Sequence, residues 1–242
     1  MPNIDVCLSP QLITQYGAEG KIVVVVDILR ATSCMVTAFA HGAKCILPVE
    51  TLEECTAFQA KGHLTAAERE GKIVEGFKIG NSPLSYQLPN ICGQTIGITT
   101  TNGTAAIKLS ATADEIIIGA FLNKTAIAQY LSAQNKDVLV VCAGWKNKMN
   151  LEDTIFAGAL VEILENQFTS TNDSTVAAKI LYQAAKSDLF AFITGNSSHY
   201  KRLKNLNLDE DIAFCLQQDI YPLIPVMKGA EMVMLEQVET KF

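Results

Sequence analysis

Membrane-spanning and targeting segments are the first features that the 242-residue sequence lacks. No stretch approaches the roughly 18 consecutive apolar residues that a bilayer span requires. The densest apolar runs, such as IVVVV at residues 22–26, have only the length of a strand. The first residues, MPNIDVCLSP, contain no basic stretch followed by an apolar one, so we expect no signal peptide. The sequence therefore predicts a cytoplasmic protein with no membrane partner.

Cysteine pairs with the spacing of metal or redox sites are also absent. The seven cysteines are odd in number, and no two of them stand in a C-x-x-C arrangement. A disulfide framework and a structural zinc site therefore have little support. In a reducing cytosol we expect most of these cysteines to be small, buried, apolar side chains.

Positive charge is scarce. The chain has 19 Lys and Arg against 25 Asp and Glu, which gives a formal net charge of −6 and a pI near 5.1. A general nucleic-acid binder has a basic surface, so we expect no nucleic-acid partner. Binding of an anion requires a local cluster of positive charge or a metal ion, because the protein as a whole repels it.

Apolar residues, in contrast, are plentiful. Hydrophobic residues make up 49% of the chain and charged residues 18%, with a mean hydropathy of +0.21. A chain of this size buries roughly 70–75% of its unfolded surface, which excludes a disordered protein. The length indicates one large domain or two small ones, at roughly 100–200 residues per domain.

Strand-like and helix-like segments alternate along the sequence. Short β-branched or apolar runs predict strands at 22–26, 45–49, 96–99, 115–119 and 137–142. Helices are predicted at 32–41, 52–61, 104–111, 125–133, 151–165, 175–186 and 200–206. This alternation predicts an α/β protein: a three-layer α/β/α fold with a mostly parallel sheet.

The polar stretch QFTSTNDS, residues 167–174, is the predicted boundary within the chain. We expect an α/β lobe over residues 1–166 that carries most of the anion-site motifs, and a C-terminal α/β portion over 167–242 that completes or abuts it. Residues 222–238 predict two short strands joined by a Lys-Gly turn. The strand–helix units that begin near residues 22 and 97 are similar, so two similar lobes are one arrangement. Few residues are identical between the two units, so the similarity is better explained by the pattern that all βαβ units have in common than by a duplication.

Three strand ends carry polar or small residues that suit a ligand site: DILRAT (27–32), TTTNGT (99–104) and CAG (142–144). In open parallel sheets, ligands bind at the carboxyl ends of strands, near helix N-termini that favour anions. We therefore expect these segments to converge on one edge of the sheet and to bind an anion. Nucleotide-binding loops of the forms G-x-x-x-x-G-K-[ST] and G-x-G-x-x-G are absent.

Each of the first two motifs also has a purely structural interpretation. Asp27 suits a metal ligand or a nucleophile, and Arg30 is spaced to bind a phosphate oxygen. The alternative is that Asp27 caps a helix and pairs with Arg30. In TTTNGT, the hydroxyls, the amide and Gly103 suit a cradle for an oxyanion. An Asn-Gly turn with threonine caps explains the same residues.

Two further segments contain candidate residues. AEREGKIVEGFKIGNSP (67–83) is a glycine-rich polar loop that is either functional or a charged surface loop. Of the three arginines in the chain, Arg30 and Arg69 fall in these motifs and Arg202 does not, which favours an anion site. NLED (150–153) starts a helix, and its carboxylates act either as a cap or as metal ligands. His199 suits a proton donor, but no histidine has a partner at metal-ligand spacing.

These strings together resemble the 2-phosphosulfolactate phosphatase family. The matching segments are DILRAT, AEREGKIVEGFKIGNSP, TTTNGT, AFLN (120–123), CAG followed by LEDT and AG (142–158), and IPV (224–226). They occur in the family's order over nearly the whole chain. The resemblance implies a magnesium-dependent phosphoric monoester hydrolase. Its reaction converts (R)-2-phospho-3-sulfolactate to 3-sulfolactate and phosphate, a step of coenzyme M biosynthesis in archaea.

The resemblance also implies roles for individual residues. Residues implied in catalysis are Asp27, Arg30, Glu68 and Arg69. Residues implied to bind Mg²⁺ are Asp27, Glu68 and Asp153. Residues implied to bind the substrate or its phosphate are Arg30, Thr32, Arg69, Asn81, Ser82, Thr101, Asn102, Gly103, Thr104 and Gly144. Either Asp27 forms a covalent phosphoenzyme or the metal activates water; we favour Asp27 as a metal ligand.

This chain departs from the family pattern at two places. Ala67 stands where the family usually has glycine, and the loop WKNKMN (145–150) lacks the glycine that commonly follows CAG. The pocket near Trp145, and with it the choice of substrate, is therefore open. The alternatives are a phosphatase of another small 2-phospho-carboxylate and a non-catalytic binder of anionic metabolites. The apolar segment 190–193 belongs to the core or to an interface, which leaves a homodimer open.

Overall fold

The structure, a computed structural model, describes residues 1–170 and 172–235 and is an α/β fold built on one ten-stranded sheet. The predicted fold class is confirmed. The strands are Ile4–Cys7 (β1), Ile22–Val26 (β2), Cys45–Pro48 (β3), Leu64–Arg69 (β4), Lys72–Ile73 (β5), Thr95–Thr99 (β6), Glu115–Gly119 (β7), Val138–Cys142 (β8), Pro225–Lys228 (β9) and Glu231–Met234 (β10). Their order in the sheet is β1-β8-β2-β7-β9-β10-β3-β6-β4-β5.

Ten α-helices connect or cover these strands in the described residues. They are Ile13–Tyr16 (α1), Ala31–Ala40 (α2), Leu52–Ala60 (α3), Gly103–Leu109 (α4), Lys124–Gln134 (α5), Leu151–Leu164 (α6), Asp173–Ala185 (α7), Leu189–Asn196 (α8), Ser198–Lys204 (α9) and Asp209–Cys215 (α10). The start of α3 is set locally. The Thr51 hydroxyl accepts a hydrogen bond from the Glu54 N–H while the Glu54 carboxylate accepts one from the Thr51 N–H. No described helix combines the length and the apolar character that crossing a bilayer requires.

The core strands are buried on both faces. All five residues of β2 and all five of β8 are buried, as their continuous β-branched and apolar sequences predict. β2 lies between β8 and β7 and is parallel to both. This position fixes Asp27, the residue directly after β2, in the interior of the molecule.

The sheet consists of two parallel groups that run in opposite directions. β1, β8, β2 and β7 form one parallel group, and β3, β6 and β4 form the other. The hairpin of β9 and β10 joins them through three successive antiparallel pairings. The sequence predicts that the motifs after β2 and β6 lie at one edge of a single parallel sheet. This prediction is wrong, because the two strands belong to groups that run in opposite directions.

Helices that cross between the groups bring these motifs together instead. α2 leads from β2 to β3, and α4 leads from β6 to β7. A Cβ atom built on Gly103, at the start of α4, would lie 2.6 Å from the Cβ of Ala31 and 3.0 Å from Oδ2 of Asp27. Only glycine permits this approach. The beginnings of α2 and α4 are thus in direct contact.

Several elements differ from the prediction. β1, β4, β5, α1, α8 and α10 were not predicted, and the predicted loop at 67–83 begins inside β4, which pairs with β5. β4 has the sequence LTAAER, whose small residues give little of the β-branched signal that marks a strand. The predicted hairpin after residue 222 is confirmed, except that residues 236–238 lie outside the described residues. The predicted boundary at 167–174 stays a prediction; its residue Thr171 is also outside the described residues.

Candidate active site

A cavity of about 340 Å³ lies where the segments after β2, β6 and β8 meet the end of β4 and helix α9. Six of the thirteen residues that the family resemblance implies for the site line it: Asp27, Arg30, Glu68, Asn81, Thr101 and Asn102. These come from four separate stretches of the chain. Seven others do not line it: Thr32, Arg69, Ser82, Gly103, Thr104, Gly144 and Asp153.

Asp27 both caps α2 and faces the cavity. Its Oδ1 accepts a hydrogen bond from the Ala31 N–H at 3.3 Å, and its own N–H donates to the Thr32 hydroxyl at 3.0 Å. The side chain is buried, and this burial raises the pKa of Asp27 to about 6. The charges of Glu68 and Glu152 add to the rise, while His199 and the Ala31 N–H oppose it. A cation placed here would relieve the cost of the buried carboxylate.

Glu68 connects the end of β4 to the loop after β6. Its Oε1 accepts the N–H of Gly71, and its Oε2 accepts the N–H and the hydroxyl of Thr101 at 3.3 and 3.2 Å. The side chain is buried. These three donors hold the carboxylate in one orientation at the cavity wall.

Arg30 is held by the protein itself. Its Nη1 donates to Oδ2 of Asp211, and both side chains are buried, with 4% and 6% exposure. Its Nη2 donates to the carbonyl of Gly71 at 3.2 Å, and the Ser82 hydroxyl donates to the other oxygen of Asp211 at 2.7 Å. Asp211, in α10, was not singled out from the sequence. The charge of Arg30 is therefore balanced inside the wall of the cavity.

Arg69 is not brought into the cavity. Successive residues of a strand point to opposite faces, so the side chains of Glu68 and Arg69 diverge. The Arg69 guanidinium donates to the carbonyl of Glu68 at 2.7 Å, the Thr99 hydroxyl at 3.1 Å and the carbonyl of Glu50 at 3.4 Å. In the structure it links β4 to the ends of the neighbouring strands.

Asp153 fastens two loops together. Its Oδ1 accepts the N–H of Ile28 at 2.8 Å, and its Oδ2 accepts the N–H of Gly144 at 3.1 Å. Asn150 caps the helix by accepting the Asp153 N–H. The side chain is fully buried, and this burial, with the charges of Asp27 and Glu152, raises the pKa of Asp153 well above its usual value. Both oxygens are thus engaged by backbone amides and neither faces the cavity.

The remaining predicted residues support the backbone. Thr32 accepts the Asp27 N–H, and the Thr104 hydroxyl donates to the carbonyl of Thr100 at 2.9 Å. Gly144 has a φ of +60°, and a Cβ atom there would lie 2.3 Å from the carbonyl oxygen of Lys148. Only a glycine fits at this turn after β8.

His199 and Glu152 form a histidine–carboxylate pair, which the sequence did not predict. Nδ1 of His199 lies 2.5 Å from Oε1 of Glu152, which has no exposed surface. The Ser197 hydroxyl donates to the other oxygen of Glu152 at 3.1 Å and accepts the N–H of His199. His199 lines the cavity beside Asp27. The only local signal was Ser197, an N-cap residue two positions before the histidine.

Three more residues form one cluster at the cavity: Trp145, Lys146 and Arg202. The sequence had connected the loop of Trp145 with the pocket, but it predicted neither Lys146 nor Arg202 as a site residue. The Cζ of Arg202 lies 3.3 Å from the centroid of the Trp145 ring, and the Nζ of Lys146 lies 4.5 Å from it. The distances are those of cation–π contacts. This cluster places positive charge in a cavity that also contains Asp27 and Glu68.

The acidic groups fit a magnesium ion of the kind that shares its coordination with substrate. Within residues 1–170 and 172–235, no three His, Cys, Asp or Glu side chains are grouped to hold a metal. Mg²⁺ in phosphate-handling sites is usually held by one or two carboxylates together with waters and substrate phosphates. Asp27 and Glu68, which both line the cavity, meet that requirement, whereas Asp153 does not.

A second cavity, of about 380 Å³, lies beside α4 and the turn between β9 and β10. It is lined by Lys108 and Glu50, which pair with each other, and by apolar side chains such as Ile107 and Met227. Of the residues predicted to form the site, only Thr104 reaches it. The cavity at Asp27 is therefore the candidate active site.

Comparison with known proteins gives one consistent result. A sequence model of the family described as "2-phosphosulpholactate phosphatase" matches residues 7–230. A "Probable 2-phosphosulfolactate phosphatase" of Caldanaerobacter subterraneus is 42% identical over 223 residues, which cover 90% of this chain and 92% of the relative. Proteins with the same name from Thermotoga maritima and Clostridium acetobutylicum are 38% and 34% identical, each over 96% of this chain and at least 99% of the relative.

Proposed function

The chain belongs to the 2-phosphosulfolactate phosphatase family, and we propose that it hydrolyses (R)-2-phospho-3-sulfolactate to 3-sulfolactate and inorganic phosphate. The observation that carries the proposal is the content of the cavity. Two buried carboxylates (Asp27 and Glu68), a histidine backed by a buried glutamate, and a cluster of cations line one space of about 340 Å³. Carboxylates that bind a metal, a proton donor for the leaving group and cations for an anionic substrate are groups that assist phosphate ester hydrolysis.

Mg²⁺ is part of the proposal. Asp27 and Glu68 would hold the ion, and it would supply positive charge that neutralises and polarises the phosphate. The protein has a net charge of −6, so a substrate with phosphate, carboxylate and sulfonate groups requires such local compensation. Thr101 and Asn102, which line the same wall, are proposed to donate hydrogen bonds to the phosphate oxygens.

His199 is proposed as the general acid. As a general acid, His199 has a proton on both ring nitrogens: the Nδ1–H donates to Oε1 of Glu152, and the Nε2–H is left for the substrate. Water forms a bond to phosphorus as the bond from phosphorus to the C2 oxygen breaks. Nε2 transfers its proton to that oxygen, which leaves as the hydroxyl of 3-sulfolactate. Both protons of the water stay on the phosphate, and Nε2 regains a proton from the released phosphate or from solvent. Asp27 remains a metal ligand in this proposal.

The test is a phosphate-release assay with a small panel of esters. 2-Phosphosulfolactate, 2-phospholactate and phosphoglycolate are each incubated with Mg²⁺ or with EDTA. We expect 2-phosphosulfolactate to give the highest kcat/KM, and EDTA to abolish turnover. Asp27→Asn should remove activity, while Glu53→Gln, an exposed change of equal charge on α3, should not.

Other results would point elsewhere. Turnover that is unchanged by EDTA would remove the metal from the proposal. A higher kcat/KM for an ester without a sulfonate would identify a different 2-phospho-carboxylate as substrate. Tight binding of 3-sulfolactate without turnover under any divalent metal would identify a binding protein.

A further inference from the structure

The three arginines of the chain differ in what holds their guanidinium groups. Arg30 donates to Asp211 and to a carbonyl, and Arg69 donates to two carbonyls and a hydroxyl. Arg202 has no hydrogen bond or ion pair with any of the described residues, although it lines the cavity. Of the two arginines that line this cavity, Arg202 is therefore the one whose N–H groups have no hydrogen-bond acceptor among the described residues.

Stacking holds Arg202 without consuming those donors. The guanidinium lies 3.3 Å from the centroid of the Trp145 ring, so its flat face is against the indole. The N–H groups of a guanidinium point outward in its plane, and they form a fork that matches an oxyanion. Lys146, on the same loop as Trp145, adds a second positive charge near the ring. A planar donor that is oriented by stacking and left unpaired is suited to bind an anion.

The positions of Arg202 and Lys146 in the cavity indicate which anionic group of the substrate they bind. Asp27 and Glu68, the proposed magnesium ligands, belong to segments after β2 and at the end of β4. Trp145 and Lys146 belong to the loop after β8, and Arg202 belongs to α9. A magnesium ion held by Asp27 and Glu68 would attract the phosphate, so the cations of the other segments would remain for the other charged end of the molecule.

We propose that Arg202, Trp145 and Lys146 form a subsite, the Arg202 subsite, for an anionic group of the substrate other than the reacting phosphate. This proposal rests on the proposed function for the identity of the substrate. The group is an oxyanion of the organic acid, either its sulfonate or its carboxylate.

Fluorescence gives a test that needs no turnover. Trp145 is the only tryptophan of the chain, so indole emission reports the subsite directly. The full-length protein in EDTA is titrated with 3-sulfolactate, with lactate, which has only the carboxylate, and with isethionate, which has only the sulfonate. We expect a saturable change with 3-sulfolactate that is lost in Arg202→Gln. The response to lactate or to isethionate then identifies which oxyanion binds.

A matched control separates the subsite from general charge. Lys61, directly after α3 and outside the cavity, makes a similar cation–π contact with Phe58, at 5.6 Å. Lys61→Gln removes the same charge and the same type of contact, and it should leave the titration unchanged. Circular dichroism of Arg202→Gln and Arg202→Lys shows whether each is folded. Arg202→Lys keeps the charge but loses the planar fork, and it should bind more weakly than the wild type.

Kinetics provide the second measurement. For 2-phosphosulfolactate, Arg202→Gln should raise KM by about 10- to 100-fold, as expected for loss of a charge-assisted hydrogen bond. For p-nitrophenyl phosphate, which has no second anion, the same variant should stay within about threefold of wild type. An equal loss on both substrates, or a fluorescence titration that survives Arg202→Gln, would overturn the subsite. Binding that depends on Arg202 in a protein that hydrolyses none of the esters would support the subsite and refute the proposed function.

Discussion

Nδ1 of His199 lies 2.5 Å from Oε1 of Glu152, a carboxylate that has no exposed surface. The two residues are 47 positions apart and belong to α9 and α6. The Ser197 hydroxyl occupies the second oxygen of Glu152, so the carboxylate is fixed and the imidazole is oriented by it. A histidine held in this way at a cavity has one nitrogen left for a reacting group.

A leaving-group comparison tests His199 as the general acid. We expect His199→Gln to lower kcat for 2-phosphosulfolactate by about 10²- to 10⁴-fold, because an alkoxide leaves poorly without a proton. For p-nitrophenyl phosphate, whose leaving group is stable as an anion, the loss should be much smaller. Glu152→Gln should show the same dependence on the leaving group. An equal loss on both esters would assign His199 a structural role only.

The pH dependence of stability tests the burial of Asp27. Its pKa is raised from 3.8 to about 6 in the folded protein, mainly by burial, so the folded state binds the proton more tightly than the unfolded state. The stabilisation is fully present below the unfolded pKa and is lost as the pH rises through about 6. Above this pH, the negative charge of the buried Asp27 carboxylate is uncompensated when no metal is bound.

Asp27→Asn removes this titration. In urea unfolding with EDTA present, the variant should gain stability relative to wild type by about 1–2 kcal/mol between about pH 5 and about pH 8. Added Mg²⁺ should stabilise the wild type and not the variant. A difference in unfolding free energy that does not change with pH would mean that Asp27 is not the titrating group.

The sequence predicted best what depends on neighbouring residues. The buried run of β2, the capping box at Thr51 and the hairpin of β9 and β10 all have local signals. Asp27 could be found because it directly follows a buried strand. The residues that line the cavity from distant segments, such as Arg202, carry no such signal.

The sequence could not distinguish residues that face the cavity from residues that support it. Arg69 and Asp153 have the charge of a site residue, yet their polar atoms are taken by backbone groups of neighbouring segments. Which atoms these are depends on how two oppositely directed groups of strands pack. That arrangement is set by the central hairpin, far along the chain from either residue.

Cysteine reactivity follows from burial. Burial raises the pKa of each of the six buried thiols: Cys7, Cys34, Cys45, Cys55, Cys142 and Cys215. Cys92 is exposed, and all seven cysteines are free. We expect a thiol reagent to label one site in the native protein, all seven in denaturant, and none in native Cys92→Ser. Rapid labelling of a second native site would contradict the burial of that cysteine.

Variants of Asp153 distinguish a structural role of this residue from a metal-binding role. Its two oxygens accept the N–H groups of Ile28 and Gly144, which belong to the loops after β2 and β8. Asp153→Ala leaves both amides buried without these acceptors, at a cost of about 1–3 kcal/mol for each. We expect the midpoint temperature of thermal unfolding in EDTA to fall by about 2–4 °C for each kcal/mol of unfolding free energy that is lost. Asp153→Asn, which keeps one carbonyl acceptor, should lose less. If Asp153 were instead a metal ligand, the variants would unfold like the wild type in EDTA and differ from it only when Mg²⁺ is added.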